Sequence, residues 1–383
     1  MRYMRCLFQF SIFLFSVLLL NGCTGPAKQK TSGGEDYKLI AYVAGWGDFD
    51  LASIDHSKLT HINYAFANID EGRAVMELET DSANMAALVS FRETNPDLKI
   101  LLSVGGWVWS NWFSDAALTE SSREIFAESI VELIKQHDLD GVDLDWEYPG
   151  QRAEDNAFRP IDKDNFTLML KAIREKLDQL SAETGNRQYL QTIASGSDQA
   201  YFDHTDLGEA HQYLDFINVM TYDFYNGWMY QAGHHANLYP SAMENYGGNS
   251  AVETIERHLT AGVPVEKLIL GFPFYGRMWE GVHKAASGLY QSASTGGMFI
   301  SYDKIVGLDA NSWESHWDQS ASAPYLWNPD SRVFISYENP RSIGLKVDYL
   351  KEHGLGGAMF WEYSNDHKQQ LLEEIYSQLN ADK

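Results

Sequence analysis

Eight short apolar runs, separated by longer amphipathic segments, constrain the fold of this chain more than any other feature of its sequence. The segments 121–138 and 165–180, for example, carry apolar residues at the spacing of one helix face. Strands that alternate with helices form βα units, and eight such units predict an α/β protein with a closed (β/α)8 TIM barrel. A doubly wound open sheet is the alternative. The eight runs are KLIAYVAGW, THINYAFANI, LKILLSVGGW, GVDLDWEY, LQTIASGS, DFINVMTYD, LILGFPFYG and GGAMFWEY.

The regular alternation stops between the seventh and eighth runs, where residues 278–355 intervene. This interval contains GGMFISYDKI, PYLWNPD and RVFISYEN, which have the composition of short antiparallel strands. We therefore predict a small α+β insertion at residues 279–340, which forms one wall of a cleft at the top of the barrel. The barrel is predicted to occupy residues 37–383, and barrels of this kind run from about 200 to over 400 residues.

The N-terminal segment has the pattern of an export signal. Two arginines precede an apolar run from Leu7 to Leu20, which is too short to span a membrane. The following LNGC resembles a bacterial lipobox, which implies a signal peptide at 1–22 and lipidation of Cys23; an ordinary signal sequence is the alternative. Residues 23–36 are polar and predict a flexible tether. We therefore expect an exported protein, lipid-anchored to the bacterial cell envelope on its periplasmic or cell-surface side.

Composition restricts the classes of molecule that this protein is expected to bind. The formal net charge of −24 argues against nucleic acid, because phosphate binding requires a basic surface. Aromatic residues make up 13% of the chain, which favours a flat ligand such as a sugar ring, although a large core is an alternative use. The 12 His residues show no ligand spacing, and His234 and His235 form a loop pair without an obvious partner. We expect no metal and no cofactor, a monomer, and membrane contact only through the lipid anchor.

One predicted strand is unusually acidic. In DGVDLDWEYPG, residues 140–150, side chains alternate faces, so Asp143, Asp145 and Glu147 share one face and apolar residues share the other. The apolar face should pack under the helices, and Glu147 should lie at the C-terminal end, where barrel active sites are found. Asp140 precedes the strand and is predicted to be a turn or cap residue. Crowded buried carboxylates raise one another's pKa, so Glu147 could stay protonated and act as a general acid.

Neither a metal site nor a solvated surface accounts well for this acidic strand. Clustered carboxylates can bind magnesium or calcium, but the D-x-D-x-D-G pattern of a calcium loop is absent from the sequence. A solvated acidic face would not alternate with apolar residues. We therefore interpret the strand as part of an active site.

Several motifs of the chain together resemble a known family. DGVDLDWE is similar to the D-x-x-D-x-D-x-E signature of family 18 glycoside hydrolases, the chitinases and their relatives. Four further motifs of this family occur in the expected order, and the resemblance extends from Tyr37 to the C-terminus. They are SVGG at 103–106, MTYD at 220–223, GFPFYGR at 271–277 and GGAMFWEYSND at 356–366.

The resemblance implies catalytic roles. Glu147 would protonate the glycosidic oxygen, and the N-acetyl group of the substrate would attack the anomeric carbon to form an oxazolinium ion, with retention of configuration. Asp145 would orient the acetamide, Asp143 would share a proton with Asp145, and Tyr222 would bond the acetamide oxygen. The expected partners are chitin or N-acetylglucosamine oligosaccharides.

The resemblance also implies binding roles. Trp361 would form the floor under the sugar at the cleaved position, Met220 would contact the acetamide methyl, and Trp107 would stack on leaving-group sugars. Five further tryptophans, at 46, 109, 112, 228 and 279, are either cleft platforms or core residues. The remaining sugar contacts implied by the resemblance are Asp223, Tyr148, Tyr275, Arg277 and Phe66.

Two alternative functions use the same scaffold. An endo-β-N-acetylglucosaminidase would cut the chitobiose core of N-glycans, but enzymes of that type usually lack the inserted subdomain. A non-catalytic chitin-binding lectin would typically have lost the catalytic glutamate, which is present here as Glu147.

Overall fold

Eight parallel strands form a closed barrel in the computed structural model, which describes residues 37–46, 50–154, 156–244 and 247–381. The predicted signal peptide at 1–22, the tether at 23–36 and the lipidation site Cys23 lie outside the described residues. Together with the strands outside the barrel, the described residues contain 14 strands: β1 (Lys38–Ala44), β2 (His61–Asp70), β3 (Arg73–Val75), β4 (Lys99–Gly105), β5 (Gly141–Asp145), β6 (Leu190–Ser195), β7 (Phe216–Val219), β8 (Leu268–Pro273), β9 (Tyr275–Trp279), β10 (Met298–Ser301), β11 (Glu314–Asp318), β12 (Ala323–Asn328), β13 (Val333–Ser336) and β14 (Gly357–Trp361).

The barrel closes because its first strand has two parallel neighbours. The strand order is β1-β14-β8-β7-β6-β5-β4-β2, and β1 also pairs with β2, so no edge is left. The predicted (β/α)8 barrel is therefore confirmed, and the open sheet is wrong. The helices are α1 (Asp81–Ser90), α2 (Gly106–Trp109), α3 (Phe113–Ala117), α4 (Glu120–His137), α5 (Asp162–Glu183), α6 (Gln199–Asp203), α7 (Leu207–Ala210), α8 (Ala251–Thr260), α9 (Tyr302–Val306), α10 (Pro340–His353) and α11 (Gln370–Asn380).

Helix ends follow local capping rules. At the start of α4, the Thr119 side chain accepts from the Ser122 amide, and the Ser122 side chain accepts from the Thr119 amide in return, which is a capping box. Helix α10 begins in the same way at Asn339, with a proline in its first turn, and ends at Gly354 with φ of 71°. These signals are local, so the sequence alone specifies them.

The acidic strand β5 has the two faces that its alternation predicts. Val142, Leu144 and Trp146 belong to the main core between strands and helices. The Trp146 ring stacks on Phe113 at 5.2 Å. Asp140, for which we predicted a turn or cap, has a different role: its buried carboxylate accepts from the Ile100 amide at 2.8 Å and pairs with two arginines, so it ties the start of β5 to β4.

A five-stranded antiparallel sheet lies between the seventh and eighth barrel strands in the chain, with the order β10-β9-β13-β12-β11. It spans Tyr275 to Ser336, so it starts four residues before the predicted 279–340 segment. Its separate core includes Trp279, so this tryptophan packs rather than lining a cleft. The connection 220–250, between β7 and α8, shares that core through Tyr225 and Ala232, which the sequence did not reveal.

No helix in the described ranges is both long and apolar enough to cross a lipid bilayer. The long helices instead have one apolar side: in α4, for example, Phe126, Ile130 and Ile134 are buried.

Candidate active site

Asp143 lies at the centre of a buried polar cluster inside the barrel. Its Oδ2 accepts from the Tyr42 hydroxyl at 2.8 Å and the Ser103 hydroxyl at 2.7 Å. Its Oδ1 accepts from Thr192 at 2.6 Å and from the Asn218 amide at 3.1 Å. Complete burial raises the pKa of Asp143, although these four hydrogen bonds lower it in part. Four strands thus hold Asp143 as a hydrogen-bond acceptor.

Asp145 and Glu147 extend this cluster toward the barrel mouth. Asp145 is buried, and its Oδ1 has no hydrogen-bond partner among the described residues. Burial, together with the charges of Glu147 and Asp143, raises the pKa of Asp145 well above its ordinary value. Burial also raises the pKa of Glu147 to about 7; a hydrogen bond with Tyr148 opposes this rise and the charge of Asp223 adds to it. A proton is therefore retained in this pair near neutral pH.

The backbone around this pair is held by small residues. The Ser110 hydroxyl accepts from the Glu147 amide at 2.8 Å and donates to the Asp145 carbonyl at 3.2 Å. Gly105 in the SVGG motif has φ of 108°, and a Cβ there would lie 2.4 Å from the Asp145 carbonyl oxygen. The motif therefore keeps β4 close enough to β5 for the acidic cluster to form.

Asp223 and Arg277 form a clamp beside the acids. The guanidinium donates from Nε to Oδ1 at 2.7 Å and from Nη2 to Oδ2 at 2.6 Å. Burial alone would raise the pKa of Asp223, but interactions with His235 and Arg277 bring it well below its ordinary value. Asp223 therefore stays ionised. Tyr275 and Arg277 lie on β9, so the inserted sheet contributes to the same site as the barrel.

Tyr222 lies between the acids and the clamp. Its ring contacts Tyr275 edge-to-face at 6.1 Å. Burial raises the pKa of Tyr222 well above its ordinary value, and the neighbouring Tyr275, Asp145 and Asp223 raise it further. The hydroxyl therefore remains a proton donor across the physiological range.

An aromatic floor closes the base of the mouth. Trp361, at the end of β14, stacks on Phe66 at 5.5 Å with an interplanar angle of 16°. The Trp46 ring stacks on Phe66 at 6.0 Å and lies 6.1 Å from Trp361. Met220 belongs to the same small cluster as Phe66 and Trp361. Flat apolar rings of this kind suit the C–H face of a pyranose.

Two aromatic residues meet at the outer side of the mouth. The Trp107 indole donates to Glu154 at 2.9 Å and contacts Trp228 edge-to-face at 5.4 Å. Trp228 is 66% exposed, and Phe299 on β10 is also exposed and stacks on Tyr275 at 5.1 Å. These exposed rings extend the aromatic surface beyond the floor.

Several residues of the site were not predicted from the sequence. They are Phe299 and Glu154 at the outer side of the mouth, and Tyr42, Thr192 and Asn218 among the donors to Asp143. The signal for the three donors was an inward-facing polar side chain on a short apolar strand.

The structure brings most of the residues that the sequence assigned to the site into two connected groups. The first surrounds the acids: Asp143, Asp145, Glu147, Tyr148, Tyr222, Asp223, Tyr275 and Arg277. The second is the aromatic floor, with Phe66, Met220 and Trp361. Trp107 lies apart, against Trp228. His235, for which the sequence suggested no partner, lies 3.6 Å from Asp223. Among the described residues, no group of three or more His, Cys, Asp or Glu is placed to hold a metal ion.

A (β/α)8 barrel whose buried carboxyl groups retain a proton near neutral pH, beside an aromatic floor, fits the class of glycoside hydrolases. The particular family follows from comparison with known proteins: the family model described as glycosyl hydrolases family 18 matches residues 38–366. The chain belongs to this family.

Three similar proteins illustrate the relationship. Chitinase A1 from Niallia circulans is 37% identical over 432 aligned positions, which cover 96% of this chain and 61% of that protein. The chain thus spans about three fifths of the length of this relative. A family 18 N-acetylglucosaminidase from Paenibacillus barengoltzii has 41% identity and a TM-score of 0.84, covering 90% of this chain and all of that one. Chitinase ChiA74 from Bacillus thuringiensis has 34% identity and a TM-score of 0.86, covering 90% of this chain and 70% of that one.

Proposed function

We propose that this protein is a chitinase, which hydrolyses β-1,4 linkages between N-acetylglucosamine units in chitin or its oligosaccharides. The observation that carries the proposal is the acidic group Asp143–Asp145–Glu147, in which burial raises the pKa of Glu147 to about 7. A general acid works best when its pKa is near the operating pH. The names of the relatives, two chitinases and an N-acetylglucosaminidase, support this class of substrate.

The first chemical step is cleavage with help from the substrate. Glu147 gives its proton to the glycosidic oxygen as the C–O bond breaks. The carbonyl oxygen of the substrate's N-acetyl group bonds to the anomeric carbon from the opposite face, and an oxazolinium ion results. The free Oδ1 of Asp145 accepts the acetamide N–H and balances the positive charge, while the Tyr222 hydroxyl donates to the acetamide oxygen.

The second step is hydrolysis of the oxazolinium ion. Glu147, now a carboxylate, takes a proton from water as the water oxygen attacks the anomeric carbon, and the acetamide is released. Two inversions at one carbon give net retention of configuration. Asp143, which four donors hold in place beside Asp145, shares a proton with Asp145, so that Asp145 can be a carboxylate while it accepts the acetamide N–H.

The test is the substitution Glu147→Gln, which keeps the shape and removes the proton donor. We expect kcat on chitin hexamer to fall by about 10²–10⁴-fold, with little change in the melting temperature. Glu183→Gln, on the exposed face of α5, is the matched control and should be fully active. Near wild-type turnover by the Glu147 variant would remove the proposal.

A second candidate is an N-acetylglucosaminidase that releases single sugars. The observation that favours it is the 41% identical structure from Paenibacillus barengoltzii, which this chain covers completely. The product profile on chitin hexamer distinguishes the two, because a chitinase releases dimers or longer products. Adding a high-mannose glycopeptide to the assay tests the endo-β-N-acetylglucosaminidase alternative in the same experiment.

We also propose that the protein is exported and anchored through lipid on Cys23. The support is the LNGC motif that follows the apolar run from Leu7 to Leu20. At least two acyl chains would hold the protein stably at a membrane that its polypeptide does not need to span.

A further inference from the structure

Two adjacent histidines in the connection 220–250 are completely buried and face different partners. His234 Nε2 lies 3.3 Å from Asp318 of the inserted sheet. His235 Nδ1 lies 3.6 Å from Oδ1 of Asp223, the residue that Arg277 clamps. His234 therefore belongs to the contact between the connection and the inserted sheet, whereas His235 belongs to the edge of the site.

The position of the His235 ring is determined by its backbone. The His235 amide donates to the Ser336 hydroxyl at 2.9 Å, and its carbonyl accepts from the Phe224 amide at 3.1 Å. The ring lies against Tyr275, with centroids 5.3 Å apart. Neither ring nitrogen has a partner within 3.5 Å in the described part of the chain. Burying an imidazole without a close hydrogen-bond partner lowers the stability of the fold. A role of the ring in the site would account for its presence there.

Charged groups surround His235 on both sides. Asp223 and Arg277 face it from the site, and Glu338 faces it from the segment after β13. Glu338 is itself paired with the buried Lys346, which donates to the carbonyl of Ala236, the residue after His235. Burial is the largest influence and lowers the pKa of His235, with Arg277 acting in the same direction and the two carboxylates opposing it. The ring is therefore neutral at neutral pH.

The orientation of the Asp223 side chain matters for two reasons, its unusual backbone conformation and the effect of its charge on Glu147. Its backbone adopts the left-handed conformation, with φ of 59°, which is unusual for a residue other than glycine. Its charge also acts on Glu147, because it raises the pKa of that acid. A shift of the Asp223 carboxylate would therefore change both the sugar contact and the general acid.

We infer that His235 is a positioning residue: its neutral imidazole, with the proton on Nδ1, directs an N–H at Asp223 and holds that carboxylate in the orientation that binds the sugar. The inference rests on the proposed function, since it takes Asp223 as a sugar contact. His235 touches neither the substrate nor the reacting atoms in this assignment and acts through Asp223.

Two variants separate positioning from packing. His235→Asn keeps an N–H near the place of Nδ1, whereas His235→Leu fills a similar volume without a donor. We expect KM for chitin hexamer to rise about 5–30-fold in the leucine variant, between the usual effects of losing a neutral hydrogen bond and losing one to a charged group because this N–H contact is long, and to stay within about threefold in the asparagine variant. If the ring only packs, leucine should be tolerated and asparagine should be the harmful change; that order of effects would overturn the inference.

The matched control is His234→Leu, at the neighbouring buried histidine. It removes one of several partners of Asp318, whose carboxylate also accepts from Ser241 and Ser320, and should lower the melting temperature while leaving KM unchanged. A rise in KM equal to that of His235→Leu would show that the connection is merely loosened, which would also contradict the inference.

The pH dependence of KM gives a further readout. Protonation of His235 below its ordinary pKa of 6.5 places a positive charge beside Asp223 and Arg277, so KM of the wild-type protein should change as the pH falls through this range. The asparagine side chain at position 235 cannot titrate, so the KM profile of that variant should differ from the wild-type profile in this range, while the contribution of the Asp145–Glu147 pair is common to both. An unchanged pH dependence in that variant would count against the assignment.

One measurement does not depend on activity. Nitrogen NMR of the wild-type protein labelled in histidine should show His235 as the Nδ1–H tautomer near neutral pH. The Nε2–H tautomer would place a bare lone pair against the Asp223 carboxylate and overturn the inference. A wild-type protein that is inactive on chitin hexamer but has the Nδ1–H tautomer would remove the proposed function and leave the contact between His235 and Asp223 standing.

Discussion

At the scale of single residues, the acidity of Glu147 is the property on which the proposed chemistry depends. Burial raises its pKa to about 7, and Asp223, far away in the chain, adds to the effect. Because the pKa of this acid is raised, Glu147 carries its proton below about 7 and loses it as the pH rises further. The proton donor is thus available at and below neutral pH.

We therefore predict that kcat/KM of the wild-type protein falls on the alkaline side with an apparent pKa of about 7, because kcat/KM reports the free enzyme. This apparent pKa describes the titration of the Asp145–Glu147 pair as a whole rather than of one residue alone. The measurement is a pH–rate profile on chitin hexamer, with Glu183→Gln as the control. An alkaline limb near the ordinary glutamate pKa of 4.5 would contradict the assigned acid.

At the scale of elements, one buried ion pair joins three parts of the molecule. Lys346 on α10 pairs with Glu338, which follows β13, and donates to the Ala236 carbonyl in the connection 220–250. Both side chains are buried, and Glu338 also accepts from Ser342 at the start of α10. The pair thus links an outer barrel helix to the inserted sheet and to the loop that carries His235.

Removing one partner of this pair should be more harmful than removing both. We expect Lys346→Met to lower the free energy of unfolding by about 3–5 kcal/mol, since it leaves Glu338 buried and unpaired, and the double variant with Glu338→Leu to recover most of that loss. Urea unfolding measures both. Lys135→Met, which breaks the exposed pair with Glu183, is the control and should cost less than about 1 kcal/mol. A double variant no more stable than the single one would contradict this expectation.

At the scale of the whole molecule, the negative net charge restricts which polymers the protein is expected to bind. The chain has 53 acidic and 29 basic residues, so an anionic polymer would be repelled, whereas a neutral polysaccharide would not. The attachment to a membrane that we propose would therefore depend on the lipid at Cys23.

The two cysteines of the chain provide a matched test of that attachment. When the full chain is made in a bacterial host, we expect it to enter the detergent phase and to incorporate labelled fatty acid. Cys23→Ser should abolish both, and Cys6→Ser, within the signal segment, should leave both unchanged. Detergent partitioning that is insensitive to Cys23→Ser would mean that the lipobox interpretation is wrong.

The features of this protein that could be predicted from its sequence are those that produce a local periodic pattern of apolar and polar residues. Eight βα units specify the barrel, and period-two alternation places Asp143 and Asp145 on the face opposite Val142 and Leu144. The antiparallel strands of the insertion are also visible in short runs of residues. These features depend on neighbours within a few positions, so the sequence by itself determines them.

Contacts between distant segments could be decided only by the tertiary structure. The four donors to Asp143 come from four different strands, and which of them meet depends on the register with which the barrel closes. The partners of Asp140 and His235 depend on how loops pack, so the sequence suggested a turn or cap for the first and no partner for the second. The raised pKa of Glu147 has the same origin, because burial and the field of Asp223 exist only after the chain has folded.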